Sequence, residues 1–146
     1  MNPKHLILAS ALGLIATPAF AADVVFLPQA KVDAALAGKA SLYLHVDKDV
    51  MVEGCYRDKP GDAEVHEKLL DTIYVTAGGA TFVVGGKLEG GKASGPGQIR
   101  GGTIVGGTTY HLVKGDVIIV PAGVPHQFTE VPASISYYVV KPVPKE

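Results

Sequence analysis

From Ser41 to Lys141 the chain is a succession of short runs in which apolar and polar residues alternate or apolar residues cluster, each bounded by Gly, Pro or Asp: SLYLHV, MVEGCYR, DTIYVTA, ATFVVGG, GTIVGG, TTYHLV, DVIIVP, HQFTEV and SISYYVVK. Short runs rich in Val, Ile, Tyr and Thr at this spacing predict strands, and many of them in series predict an all-β sandwich or barrel. One stretch has a helical period instead. In PQAKVDAALAGK, Val32, Ala35 and Leu36 share a face and Gly38 stands where a left-handed C-cap is favoured, which predicts a single short N-terminal helix.

The punctuation between the strands carries its own expectations. Gly78-Gly79 separates two alternating runs as a tight hairpin would, and Lys114-Gly115-Asp116 marks another turn. Ten of the 18 glycines fall between Gly85 and Gly107. Apolar residues persist among them, as in QIRGGTIVGG, so this region reads as extended strands with bends or bulges rather than as a flexible linker.

The first residues follow a different rule. Lys4 precedes an apolar run from Leu6 to Ala16, and small residues Ala19 and Ala21 flank Phe20, the layout of a secretory signal peptide cut after Ala21. The run is too short to span a bilayer, and no later segment approaches the roughly 20 apolar residues of a membrane helix. The expectation is therefore a signal peptide over residues 1–21, a single domain over 22–146, and a periplasmic or secreted location with no membrane partner. Loss of Lys4 with the leader leaves 12 basic against 14 acidic residues, a net charge near −2, with two arginines. Such a balance points away from nucleic acid. Cys55, the one cysteine, precludes an internal disulfide and reads as a small buried hydrophobe.

Candidate chemistry gathers in two segments. In GDVIIVPAGVPHQF, Pro121 ends the ladder of its strand, Gly123 permits a turn geometry that other residues resist, and Pro125 biases Val124 to an extended conformation. His126 thus enters the next strand in a fixed direction. In EVHEKLLDTIYVTAGG, Glu64, His66 and Asp71 precede a strand whose alternation puts Asp71, Ile73 and Val75 on one face.

The first of these segments resembles the second motif of the cupin family from Gly115 to His126, and the second fits the register of the family's first motif with Glu64, His66 and Asp71 at the three ligand positions. Two departures are visible: Glu64 stands where the family has a histidine, and the shorter Asp71 where it has a glutamate. The resemblance implies a double-stranded β-helix, the cupin jelly-roll barrel, with His66 and His126 directed into its mouth and a divalent metal between them. Iron, manganese, zinc and nickel all suit two imidazoles and two carboxylates. Glu64 and Asp71 each stand between direct coordination and an ordinary carboxylate's role, and His126 between ligand and hydrogen-bonding cap. Glu67 substitutes if the register slips by one.

His45 and His111, alone in their strands, read as surface or rim residues. Gln127 faces away from His126 and suits a backbone or supporting hydrogen bond, while Tyr74, Tyr137 and Tyr138 read as packing. Two functions follow from the resemblance. One is a metal-dependent enzyme (dioxygenase, isomerase, lyase or hydrolase) acting on a small oxygen-bearing substrate, with Glu64 or Glu67 as general base. The other is a non-catalytic exported protein that binds a small ligand or the metal itself. The apolar C-terminal run SISYYVVK, followed by two prolines, reads as an edge strand and predicts a homodimer.

Overall fold

A computed structural model describes residues 24–145; the segment read as a signal peptide lies outside the described residues. One helix, α1 (Gln29–Ala37), precedes twelve strands: β1 (Leu42–Val46), β2 (Val50–Arg57), β3 (Glu64–His66), β4 (Asp71–Val84), β5 (Lys87–Glu89), β6 (Lys92–Gly95), β7 (Gln98–Arg100), β8 (Thr103–Val105), β9 (Thr108–Val113), β10 (Val117–Val120), β11 (His126–Glu130) and β12 (Ile135–Pro142). The all-β expectation with one short helix holds. No described helix is long and apolar enough to cross a membrane. Gly38 caps α1 in the right-handed region, and the left-handed residue is Lys39 at φ 52°, one position later than the sequence suggests.

The long strand β4 organises the barrel. Its first half lies between β12 and β10, and its second half between β11 and β9, so one strand passes through both walls of the sandwich. Beyond it, β12 leads through β2 to β1, and β11 through β3 and β7 to β6. The small β5–β8 ribbon stands apart, with glycines of positive φ at its corners. This is the glycine-rich region, extended and bent as its apolar residues suggest.

Gly78-Gly79 is not a hairpin, because the strand continues through both residues. Along β4 the inward parity changes just before them. Asp71, Ile73 and Val75 are buried in the first half of β4, whereas Ala80 and Phe82 are buried in the second, which requires one extra residue between the two rows. The extra residue is Thr76, where the register slips against Ser136–Tyr137 of β12, and two positions later Gly78 adopts φ +69° with its backbone against the Ser134 carbonyl oxygen. A Cβ at Gly78 would run into that oxygen. Gly78→Ala is therefore expected to destabilise the fold by about 2 kcal/mol or more in urea unfolding, from the left-handed backbone and the collision together. Gly95→Ala, with φ outside the left-handed region and open space around it, serves as the comparison and should stay within about 1 kcal/mol of the parent.

Inward rows from both walls meet in one core: Cys55 from β2, Ile73, Val75, Ala80 and Phe82 from β4, Phe128 from β11, and Ile135, Tyr137 and Val139 from β12. Phe82 packs on Phe128 at 4.5 Å between ring centroids, and Phe128 on Tyr137 at 5.1 Å. Cys55 is buried as its setting implies, and burial pushes its thiol up to about 12. The C-terminal strand corrects an expectation. β12 is no edge; it sits between β2 and β4 along its length, so its apolar character serves the core rather than a partner.

Candidate metal centre

At one end of the barrel the inward rows stop being apolar. On β12 the row Ile135, Tyr137, Val139 continues to Lys141; on β4 the row Val75, Ile73 ends at Asp71; on β11, His126 precedes Phe128; and on β2, Arg57 follows Cys55. Strand alternation thus delivers charged and imidazole side chains to a cavity of about 260 Å3.

The loop before β11 does what its prolines and glycine suggest. Pro121 follows the end of β10, Gly123 takes φ +78°, and its N–H donates to the His66 carbonyl at 2.8 Å, which ties the loop to the other histidine's strand. His126 then stands directly opposite Glu64 in the β11–β3 pair. On the other side of β3, Glu64 faces Arg100 and His66 faces Gln98 of β7. These rows explain the contacts. Arg100 Nη1 donates to Glu64 Oε1 at 2.7 Å, and His66 Nδ1 donates to Gln98 Oε1.

His126 Nδ1 donates to the Val124 carbonyl at 3.1 Å. With both Nδ1 atoms engaged, each ring turns Nε2 toward the carboxylates of the cluster, the tautomer that a metal-ligating imidazole adopts when an outer acceptor holds its other nitrogen. Glu64, His66 and His126 each place a donor atom within 4.8 Å of the others. Asp71 Oδ2 lies 3.3 Å from His66 Nε2 and 3.9 Å from His126 Nε2, and its Oδ1 is buried without a hydrogen-bond partner among the described residues. Two imidazole nitrogens and a third donor from Glu64, with the buried Asp71 carboxylate beside them, form a donor set that fits a divalent transition metal.

Lys141 is the residue that sequence reasoning missed. Its Nζ donates to His66 Nε2 and to Asp71 Oδ2, each at 3.0 Å. Gln98, Arg57 and Arg100 were missed too, although the alternation in QIR and in MVEGCYR carries them. Of the other candidates, Glu67 is exposed and lies beside Gly97, away from the histidines. His45 pairs with Asp47 at 2.8 Å, and His111 meets Thr81 on the surface, both outside the site. Gln127 donates to the Gly61 carbonyl at 3.0 Å, the backbone bond expected of it.

Among the candidate ligands, His126 and Asp71 titrate away from their ordinary values. Burial lowers His126 below 6.5, outweighing the Val124 carbonyl and the nearby Asp71 and Glu64 carboxylates that favour its charged form. For Asp71 burial is again the largest influence and favours the neutral acid, but His66 and the Lys141 ammonium together outweigh it and hold the carboxyl below 3.8. In both cases the unfolded chain takes up the proton first, so stability rises with pH. The contribution of neutral His126 is complete above 6.5 and declines as pH falls below it; that of ionised Asp71 is complete above 3.8 and is lost under acid. Chemical unfolding of chelator-treated protein is expected to show lower stability at pH 5 than at pH 7, and His126→Gln to flatten that difference.

No protein-family model matches the sequence, and no curated protein matches it. Solved structures do. A Bacillus halodurans protein is 15% identical over 83% of this chain and 83% of its own, with a TM-score of 0.61. A DMSP lyase from Ruegeria pomeroyi is 15% identical over 70% of this chain and 46% of its own, with a TM-score of 0.52. A cupin 2 conserved barrel domain protein from Rhodopseudomonas palustris is 14% identical over 73% of this chain and 61% of its own, with a TM-score of 0.51. At these identities the likeness concerns architecture, and it agrees with the strand order above: the chain has the cupin fold, a double-stranded β-helix barrel.

Proposed function

We propose that the barrel mouth is a divalent-metal site and that the protein is a metal-dependent enzyme acting on a small oxygen-bearing substrate. The observation that carries this reading is the convergence of His66 Nε2 and His126 Nε2 on Glu64, with each Nδ1 held from behind. His66, His126 and Glu64 would hold the ion, with Asp71 as the further oxygen donor. When bound, such an ion polarises a substrate oxygen or lowers the pKa of bound water.

The chain's own residues supply the rest. Gln98 and the Val124 carbonyl fix the two rings, Arg100 orients Glu64, and the Glu64 Oε2 atom, 3.6 Å from His66 Nε2, faces the centre. A Glu64 not engaged by the ion can accept a proton from a substrate in the cavity. The reaction class stays among dioxygenase, isomerase, lyase and hydrolase chemistry. The DMSP lyase neighbour supports enzymatic use of the fold, and the alternative is an exported protein that stores a small ligand or the ion at the same site.

Export through the leader over residues 1–21 belongs to the same reading. So does self-association, for which the motive now lies at β10: among the described strands it pairs with β4 alone, and it exposes Val117 and Ile119. Elemental analysis of protein recovered from the periplasmic fraction tests the proposal. About one first-row transition metal per mature chain beginning at Ala22 is the expected result, and a chain that stays metal-free after exposure to iron, manganese, zinc and nickel would remove the site.

A further inference from the structure

The two arginines of the chain both line the cavity, and they are held in different ways. Arg100 is half-exposed and its Nη1 is taken up by Glu64 at 2.7 Å. Arg57, projecting from the end of β2, is fixed on three sides. Its Nε donates to the Tyr137 hydroxyl at 3.0 Å, its Cζ lies 5.1 Å from the centre of the Phe128 ring, and Gly61 leaves the space that the guanidinium fills. A Cβ at Gly61 would collide with Nη1.

The terminal nitrogens of Arg57 have no hydrogen-bond acceptor among the described residues. The nearest carboxylate oxygen, Glu64 Oε1, is 3.8 Å from Nη2 and already engaged by Arg100. Arg57 lines the cavity, and a clamped guanidinium with terminal N–H groups free of acceptors is one half of the planar, two-bond pair that a carboxylate completes. Because Tyr137, Phe128 and Gly61 already fix its position, little further side-chain entropy is lost on binding.

Building on the proposed site, we infer that Arg57 is the receptor for a ligand carboxylate and that the substrates are small carboxylic acids whose remaining oxygen reaches the Glu64–His126 side of the same cavity. Its volume, about 260 Å3, suits a molecule of a few carbons rather than a nucleotide or polymer. Three cationic and four carboxylate side chains line it, so no broad positive field gathers anions there. Selection is short-range, made by the fork, and favours a monoanionic end group over inorganic phosphate.

Calorimetric titration of the full mature chain in the presence of chelator tests this without the metal. The probes are acetate, glycolate and succinate, each beside its neutral amide, and inorganic phosphate. Binding of at least one carboxylate, with no binding of its amide, is expected, and Arg57→Gln should weaken it at least about tenfold. Arg57→Lys, which keeps the charge and loses the fork, should remain weaker than the parent, and Lys87→Gln, the same loss of charge at an exposed site, should bind as the parent does. If Arg57 variants do not fold, Tyr137→Phe, which frees the guanidinium without removing it, should weaken binding severalfold. Equal binding of acid and amide, tighter binding of phosphate, no carboxylate binding by the parent, or unchanged affinity in the folded variants overturns the inference. The metal content of Arg57→Gln should equal the parent's, so failure of the metal site and failure of the clamp are read separately.

Discussion

His126→Ala is expected to lose stoichiometric transition metal, with affinity falling more than about 100-fold, beyond the 10–100-fold loss typical when only an outer hydrogen-bond partner of a ligand is removed. Without that imidazole one nitrogen remains, and Glu64 and Asp71 are harder oxygen donors that hold zinc or nickel poorly without a second nitrogen. His66→Ala should fall by a similar amount. In it the loss extends further, because His66 also links Gln98 to the cluster and receives the Lys141 ammonium. Both measurements call for the folded state to be checked, since each ring is buried and the two lie 5.2 Å apart, His126 also packing near Phe82 at 5.9 Å. His45→Ala and His111→Ala remove histidines of the outer surface and should retain the parent's metal content. Elemental analysis of these variants after identical exposure to zinc decides the matter. A His126→Ala chain that is folded and still carries one metal would assign the imidazole to capping the barrel mouth.

The direction of His126 was legible in the sequence because local chemistry determines it: Pro121, Gly123 and Pro125 act on their own backbone, and the loop's conformation follows. His66 and Glu64 were legible as a register within one segment. Lys141 was not, for a physical reason. The alternation Ile135, Tyr137, Val139, Lys141 assigns it to the inward face, but only the placement of β12 between β2 and β4 tells that this face lines a cavity, and that placement depends on pairing with residues 57 to 92 positions earlier. The same long-range pairing misled the reading of the C-terminal strand as an edge. Gly78-Gly79 shows the converse limit. Two glycines between alternating runs fit a hairpin and a continuous strand equally well, and the core's need to keep Val75 and Phe82 on one side is met by a continuous strand with its bulge at Thr76, just before the glycines.

Arg57 belongs to a third category, since its sequence position was inward by parity with Cys55 yet its significance lies in what holds it. Tyr137, Phe128 and Gly61 come from three separate segments, and none carries a signature on its own. Sites of this kind are assembled at the ends of inward rows, where a barrel opens and the core no longer requires apolar residues.

Lys141→Met is expected to bind zinc at least about tenfold more tightly than the parent, the opposite direction from the histidine variants. The Lys141 ammonium lies 3.0 Å from His66 Nε2 and 3.0 Å from Asp71 Oδ2, so it uses the lone pair and the carboxylate oxygen that a divalent ion also requires. An ion held by His66 must turn the ammonium away. Two unit charges 4 Å apart repel by about 4 kcal/mol at an effective dielectric constant near 20, more for a divalent ion, and movement of the flexible lysine relieves most but not all of this. Methionine keeps the apolar stem, removes the competing cation and leaves both donors free. It also leaves Asp71 buried without its cation, so the chelator-treated variant should unfold at lower urea concentration than the parent, and zinc should restore more stability to it than to the parent. Zinc competition against a chromophoric chelator and paired urea titrations give the two readouts. Weaker zinc binding by a folded Lys141→Met chain would show that the ammonium organises the donors for the ion instead of competing with it.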